Sequence, residues 1–111
     1  MNTELTYLDY EDLEMIGRIN KSKTKKRVAQ KTLDFLGELV NNSPLGEDRV
    51  QVSAFDIVKG IGAIYSDRYP MWLKERLLIE VEPHKPNVGG HLTTYAINYD
   101  FVKVIKKAIA A

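Results

Sequence analysis

Two short stretches rich in β-branched residues, LLIEVEP (77–83) and LTTYAIN (92–98), stand eight residues apart. Each alternates. Ile79 and Val81 oppose Glu80 and Glu82, and Thr93, Tyr95 and Ile97 oppose Thr94, Ala96 and Asn98. EPHKPNVGGHL (82–92) spans the gap, with both histidines and the only Gly-Gly pair. The glycines suit a reversal, since they alone adopt positive φ at no steric cost. The pattern predicts a hairpin with a long tip. A lone two-stranded hairpin is marginal in water, so it has to close on something else.

What it closes on is helical. LDYEDLEMIGRIN (8–20) places Leu8, Leu13, Ile16 and Ile19 at helical spacing. TKKRVAQKTLDFLGELVNN (24–42) carries a stripe of Ala29, Leu33, Leu36, Leu39 and Val40, and ends before Ser43-Pro44. VQVS (50–53) reads as a short strand. Ser53 then caps a helix from residue 54, with Phe55, Val58 and Ile61 expected inward and Gly62 closing it. A further helix over 66–77 starts at Ser66 or Asp67, with Pro70 in its first turn and Tyr69, Leu73 and Leu77 facing in. YDFVKVIKKAIAA (99–111) reads as a last helix, with Phe101, Val102, Ile105 and Ile109 on one side.

The expected fold is therefore α+β and mostly helical. A three-helix core closed by a two- or three-stranded wing sheet is a winged helix-turn-helix, with extra helices at both ends. The chain of 111 residues suits a single domain. Within it, 1–23 forms an N-terminal extension, 24–98 the winged-helix core and 99–111 the C-terminal helix.

LKERLLIEVEP and the later TTYAIN resemble the segment of MarR-like and PadR-like winged-helix regulators where a recognition helix runs into the wing. Leu73-Lys74-Glu75-Arg76 and Leu78-Ile79-Glu80 carry the likeness, with Leu77 where that pattern has glycine. Tyr69-Pro70 is similar to the PadR type. The likeness spans roughly residues 27–98 in architecture and about a dozen residues in motif. It implies double-stranded DNA binding by a small transcriptional regulator that forms homodimers. By position, it points to Ser66, Arg68, Tyr69, Met71, Trp72 and Lys74 for the recognition helix. For the wing tip it points to His84, Lys85 and Asn87.

Charge segregation supplies a second signal. Residues 1–20 carry five acids against Arg18 alone, whereas residues 21–31, KSKTKKRVAQK, carry six Lys/Arg and no acid. Lysines at a helix start oppose the dipole, a local cost that nearby phosphates would offset. Lys23, Lys25, Lys26 and Arg27 are thus candidate DNA-backbone contacts. The alternative is a solvated helix start balanced by the acidic residues before it. Trp72 is open to two readings as well, core or groove surface.

Other chemistries find little support. With no cysteine, disulfides and cysteine-zinc sites are excluded. His84 and His91 are seven residues apart with no further ligand set, so no metal is expected. The Gly-Gly pair precedes a strand and is no P-loop, and neither G-x-S-x-G nor H-E-x-x-H occurs. No enzyme activity and no cofactor are expected. No apolar run reaches a membrane-spanning length, and the acidic N-terminus does not read as a signal peptide. A soluble cytoplasmic protein is therefore expected. The terminal helices, both amphipathic and outside the three-helix core, are the expected homodimer elements. The alternative function is a winged-helix protein–protein module or subunit without DNA binding, since fold alone does not fix function. A weaker third reading is single-stranded nucleic acid stacked on Tyr65, Tyr69 and Trp72.

Overall fold

The acidic start of the chain forms a capped helix. In the computed structural model, which describes residues 7–43, 45, 48–61, 68–82 and 92–111, helix α1 runs Tyr10–Lys21. Asp9 caps it. The Asp12 N–H donates to Asp9 Oδ1 at 2.8 Å, and the Asp9 N–H donates to Asp12 Oδ2 at 3.1 Å, a reciprocal capping box. One extended residue, Ser22, separates α1 from α2 (Lys23–Asn41). Its N–H closes α1 on the Ile19 carbonyl, and its Oγ accepts the Lys25 N–H at 3.2 Å to open α2. Helix α2 buries Ala29, Thr32 and Leu36. The Thr32 hydroxyl donates to the Val28 carbonyl at 2.8 Å, which is how a polar side chain is accommodated on the inner face.

Strand β1 (Arg49–Ser53) alternates as a half-buried strand should, with Val50 and Val52 inside and Arg49 and Gln51 outside. Ser53 ends it and caps α3 (Ala54–Ile61) by accepting the Asp56 N–H at 3.0 Å. The expected inner face of α3 is corrected at Phe55, while the side chains of Val58 and Ile61 lie outside the described residues, as does Gly62. Phe55 is 68% exposed and Ile57 is fully buried. Helix α4 (Arg68–Leu77) passes directly into β2 (Leu78–Glu82), and β3 (Leu92–Ile97) returns. The sheet is antiparallel in the order β1-β3-β2. β3 is its centre, so Thr93, Thr94, Tyr95 and Ile97 are all buried, and strict alternation is lost there. β2 is an edge with an irregular register between Glu80 and Glu82; both its apolar and its acidic residues beyond Leu78 are exposed.

Asn98 is the joint between sheet and last helix. Its N–H donates to the Leu77 carbonyl at 2.9 Å, and its amide nitrogen donates to the Arg76 carbonyl at 3.0 Å. Its Oδ1 accepts the Phe101 N–H, capping α5 (Tyr99–Ala110). Helix α5 buries Phe101, Ile105 and Ala108, and these share one core with Met15 and Ile19 of α1 and with Leu36, Trp72 and Leu73. The terminal helices are thus part of the core. Their main apolar faces are covered within the chain, which corrects the expectation of a core complete without them. The result among the described residues is a mostly helical α+β domain of five helices and a three-stranded sheet.

Candidate nucleic-acid interface

The basic run occupies the corner where α1 ends and α2 begins. Lys23 and Arg27 are exposed, and Lys25 and Lys26 are half-buried. The last two are held by neighbours. Lys26 Nζ donates to the Ala111 main-chain oxygen at 2.7 Å, which brings the end of α5 beside the run. Lys25 places its Nζ 4.6 Å above the Tyr69 ring, while the Tyr69 hydroxyl donates to the Lys25 carbonyl at 2.6 Å. A tyrosine on the first turn of α4 therefore clamps the first turn of α2, through a cation–π contact and a hydrogen bond together. The basic run and the start of α4 form one continuous corner.

Helix α4 presents two faces. Tyr69, Trp72, Leu73 and Leu77 point inward, each at most 4% exposed. Met71 and Glu75 point outward. Lys74 is half-buried, with its Nζ 5.9 Å from the Tyr95 ring centre, so its stem crosses toward the sheet. Two assignments are thereby corrected. Tyr69 and Trp72 do not face a groove. Tyr69 is the α2–α4 clamp, and Trp72 packs edge-on to Phe101 at 5.5 Å with its indole N–H satisfied inside. Neither can offer a ring to a stacked base, which removes two of the three residues of the single-strand reading. Ser66, Tyr65, His84, Lys85 and Asn87 lie outside the described residues, as does the side chain of Arg68. Among the candidates, the structure brings the basic run against Tyr69 in the first turn of α4.

Sequence reasoning missed the polar centre that aims α4. Asp12 is buried, yet it accepts the Trp72 indole N–H at 2.8 Å and the Arg76 Nε–H at 2.6 Å. Arg76 also reaches Asp9 Oδ2 at 3.2 Å. Burial pushes the Asp12 carboxyl up. The hydrogen bonds from Trp72, Arg76 and the Asp9 N–H, with the Arg76 charge, outweigh it and hold Asp12 below its ordinary 3.8. The same bond from Asp12 raises Arg76 against its own desolvation. On the sheet, burial raises the Tyr95 hydroxyl, partly offset by a hydrogen bond with Thr93 and reinforced by Glu80. A signal for the Asp12 pair was present. Asp12 shares its helical face with Leu8, Met15 and Ile19, and an acid on an apolar stripe requires a buried cation or donor.

Among the described residues, no group of three or more metal-ligating side chains is gathered, and no helix is long and apolar enough to cross a membrane. Comparison of the chain with family models, curated proteins and solved structures returns no match.

Proposed function

We propose that this chain is a winged-helix protein that binds double-stranded DNA, a small transcriptional regulator in which α3 and α4 form the helix-turn-helix. The observation that carries the reading is the clamp between Tyr69 and Lys25, which joins the stretch 21–31, with its six Lys/Arg, to the first turn of α4. The element order and the β1-β3-β2 sheet, with α4 running straight into β2, fit that architecture. In this reading Lys23 and Arg27 contact phosphates and position the chain, while Arg68 and Met71 on α4 approach base edges. Ser66, Lys74, His84, Lys85 and Asn87 retain the roles implied by their positions, with Lys74 closer to the wing than to the groove.

A protein-docking module is the second reading. One observation favours it: the outer face of α4 offers Met71, 41% exposed, and Glu75. An apolar side chain beside an acid suits a protein surface better than a phosphate backbone. Titration with random-sequence duplex DNA at low and physiological salt separates the two. DNA binding predicts complex formation that weakens steeply as salt rises. No complex at low salt would refute the DNA reading and leave the docking module.

A further inference from the structure

A cavity of about 230 Å³ lies between α2 and α5, against the end of β3. On α2, Leu33, Gly37 and Asn41 recur along its wall at i, i+4 and i+8, with Leu36 and Val40 beside them. On α5, Tyr99, Val102 and Lys106 recur at i, i+3 and i+7. Ile97, the last residue of β3, completes the wall. Gly37 is the unexplained member. It stands inside α2, where glycine weakens a helix relative to alanine. A Cβ added there would meet nothing within 4 Å, so no neighbour inside the chain requires the glycine. Its missing side chain leaves open volume between two helix faces that are otherwise largely apolar.

The lining points to the chemistry of an occupant. The apolar side chains from α2, β3 and α5 are all aliphatic, apart from the Tyr99 ring. Lys106 is the one charged residue, and no acid lines the cavity. Lys106 is exposed and makes no ion pair among the described residues, so its ammonium is open to a ligand. An aliphatic wall with a single cation at its rim suits a small amphipathic anion, whose chain leaves water while its charge meets the lysine. The larger cleft between α2, α3 and β1 has no such bias. Asp34, Glu38 and Asp56 line it together with Lys31 and Lys59. Size narrows the class further. A cavity of ~150 Å³ holds benzene, so one of about 230 Å³ holds roughly nine non-hydrogen atoms. A carboxylate on a chain of about six carbons has that size.

We infer that the cavity between α2 and α5 is a binding site for a small aliphatic monocarboxylate, its chain against Leu33, Leu36, Val40 and Val102 and its carboxylate on Lys106. The site lies apart from the proposed DNA contacts and does not rest on them. With so few atoms the complex is weak, with a Kd on the order of 1 mM.

The test is titration of the isotope-labelled full chain with sodium heptanoate up to about 10 mM, read by amide NMR shifts with no DNA present. Ionic strength is held constant at about pH 7, where a carboxylic acid is ionised. Saturable shifts are expected, largest at Gly37, Asn41, Val102 and Lys106. Heptanol, the same chain without the charge, should bind at least several-fold more weakly. Lys106→Ala should weaken heptanoate several-fold and leave heptanol unchanged. Lys103→Ala, exposed on the same helix but outside the cavity, should leave both unchanged. Gly37→Leu should fill the cavity, abolish both and raise the melting temperature. Shifts that do not saturate, or that centre on residues elsewhere, overturn the inference. So does heptanol binding as tightly as heptanoate, an unchanged heptanoate affinity in Lys106→Ala, or Gly37→Leu binding as wild type does. Should Gly37→Leu fail to fold, the Lys106→Ala comparison decides alone, with unchanged circular dichroism showing that its fold is retained.

Discussion

Asp12→Ala removes the polar centre that ties α1 to α4. The buried Trp72 indole N–H loses its acceptor, at a cost of about 1–3 kcal/mol for an unsatisfied donor. The Arg76 guanidinium loses its 2.6 Å partner. Breaking one side of a buried ion pair costs ~3–5 kcal/mol, but Arg76 keeps 28% exposure and the second carboxylate of Asp9, which places this pair at the low end. The two costs overlap in one network, so the sum is about 3 kcal/mol. That corresponds to a fall in melting temperature of roughly 12 °C for a domain of this size. Urea unfolding should show a lower midpoint at unchanged slope. Asp12→Asn keeps one acceptor for Trp72 and Arg76 but loses the charge and, with an NH2 in place of Oδ2, the bond from the Asp9 N–H, so it should cost less than Asp12→Ala but not nothing. Because Asp12 is held below 3.8 in the folded state, its charge contributes fully above the unfolded value. That contribution is lost as the pH falls from about 4 toward the lower folded value. The stability of Asp12→Asn should therefore decline less steeply than wild type in that window. A loss below about 1 kcal/mol for Asp12→Ala, or identical acid sensitivity in Asp12→Asn, would refute the reasoning.

Gly60→Ala would drive a Cβ into the Phe35 ring. It should cost about 1–3 kcal/mol by thermal unfolding, with Phe35→Leu in the same chain recovering part of the loss. Ser22 caps α2 and closes α1, so Ser22→Ala should cost ~1 kcal/mol, while Ser22→Asp, an equally good cap that also faces the basic first turn, should equal or exceed wild type.

Most of the element order was legible because periodicity is a local property. The stripe of α2, the Ser53 cap and the two strands followed from spacing alone. What was not legible depended on partners distant in sequence. Leu13 keeps helical spacing with Ile16 yet lies outward, because α1 turns Asp12, Met15 and Ile19 to the core instead. Phe55 and Ile57 exchange roles on a helix of only two turns, where either face suits the pattern. The terminal helices looked dispensable because their targets, each other and α2, cannot be read from either segment. The basic run was visible in the sequence as charge. That it adjoins α4 was not, because the joining contact is a tyrosine forty-four residues away.

Contact of the start of α2 and the outer face of α4 with duplex DNA is what we propose. It is tested most directly by the slope of log binding constant against log salt for three proteins: wild type, Lys23→Ala/Arg27→Ala, and Arg49→Ala. Arg49 is exposed at the start of β1, opposite Ala96 of β3, and serves as the control. Wild type should bind with a steep negative slope. The double variant should lose about 1.8 from that slope, and Arg49→Ala should leave it unchanged. Equal slopes for all three, or no binding at low salt, would contradict it.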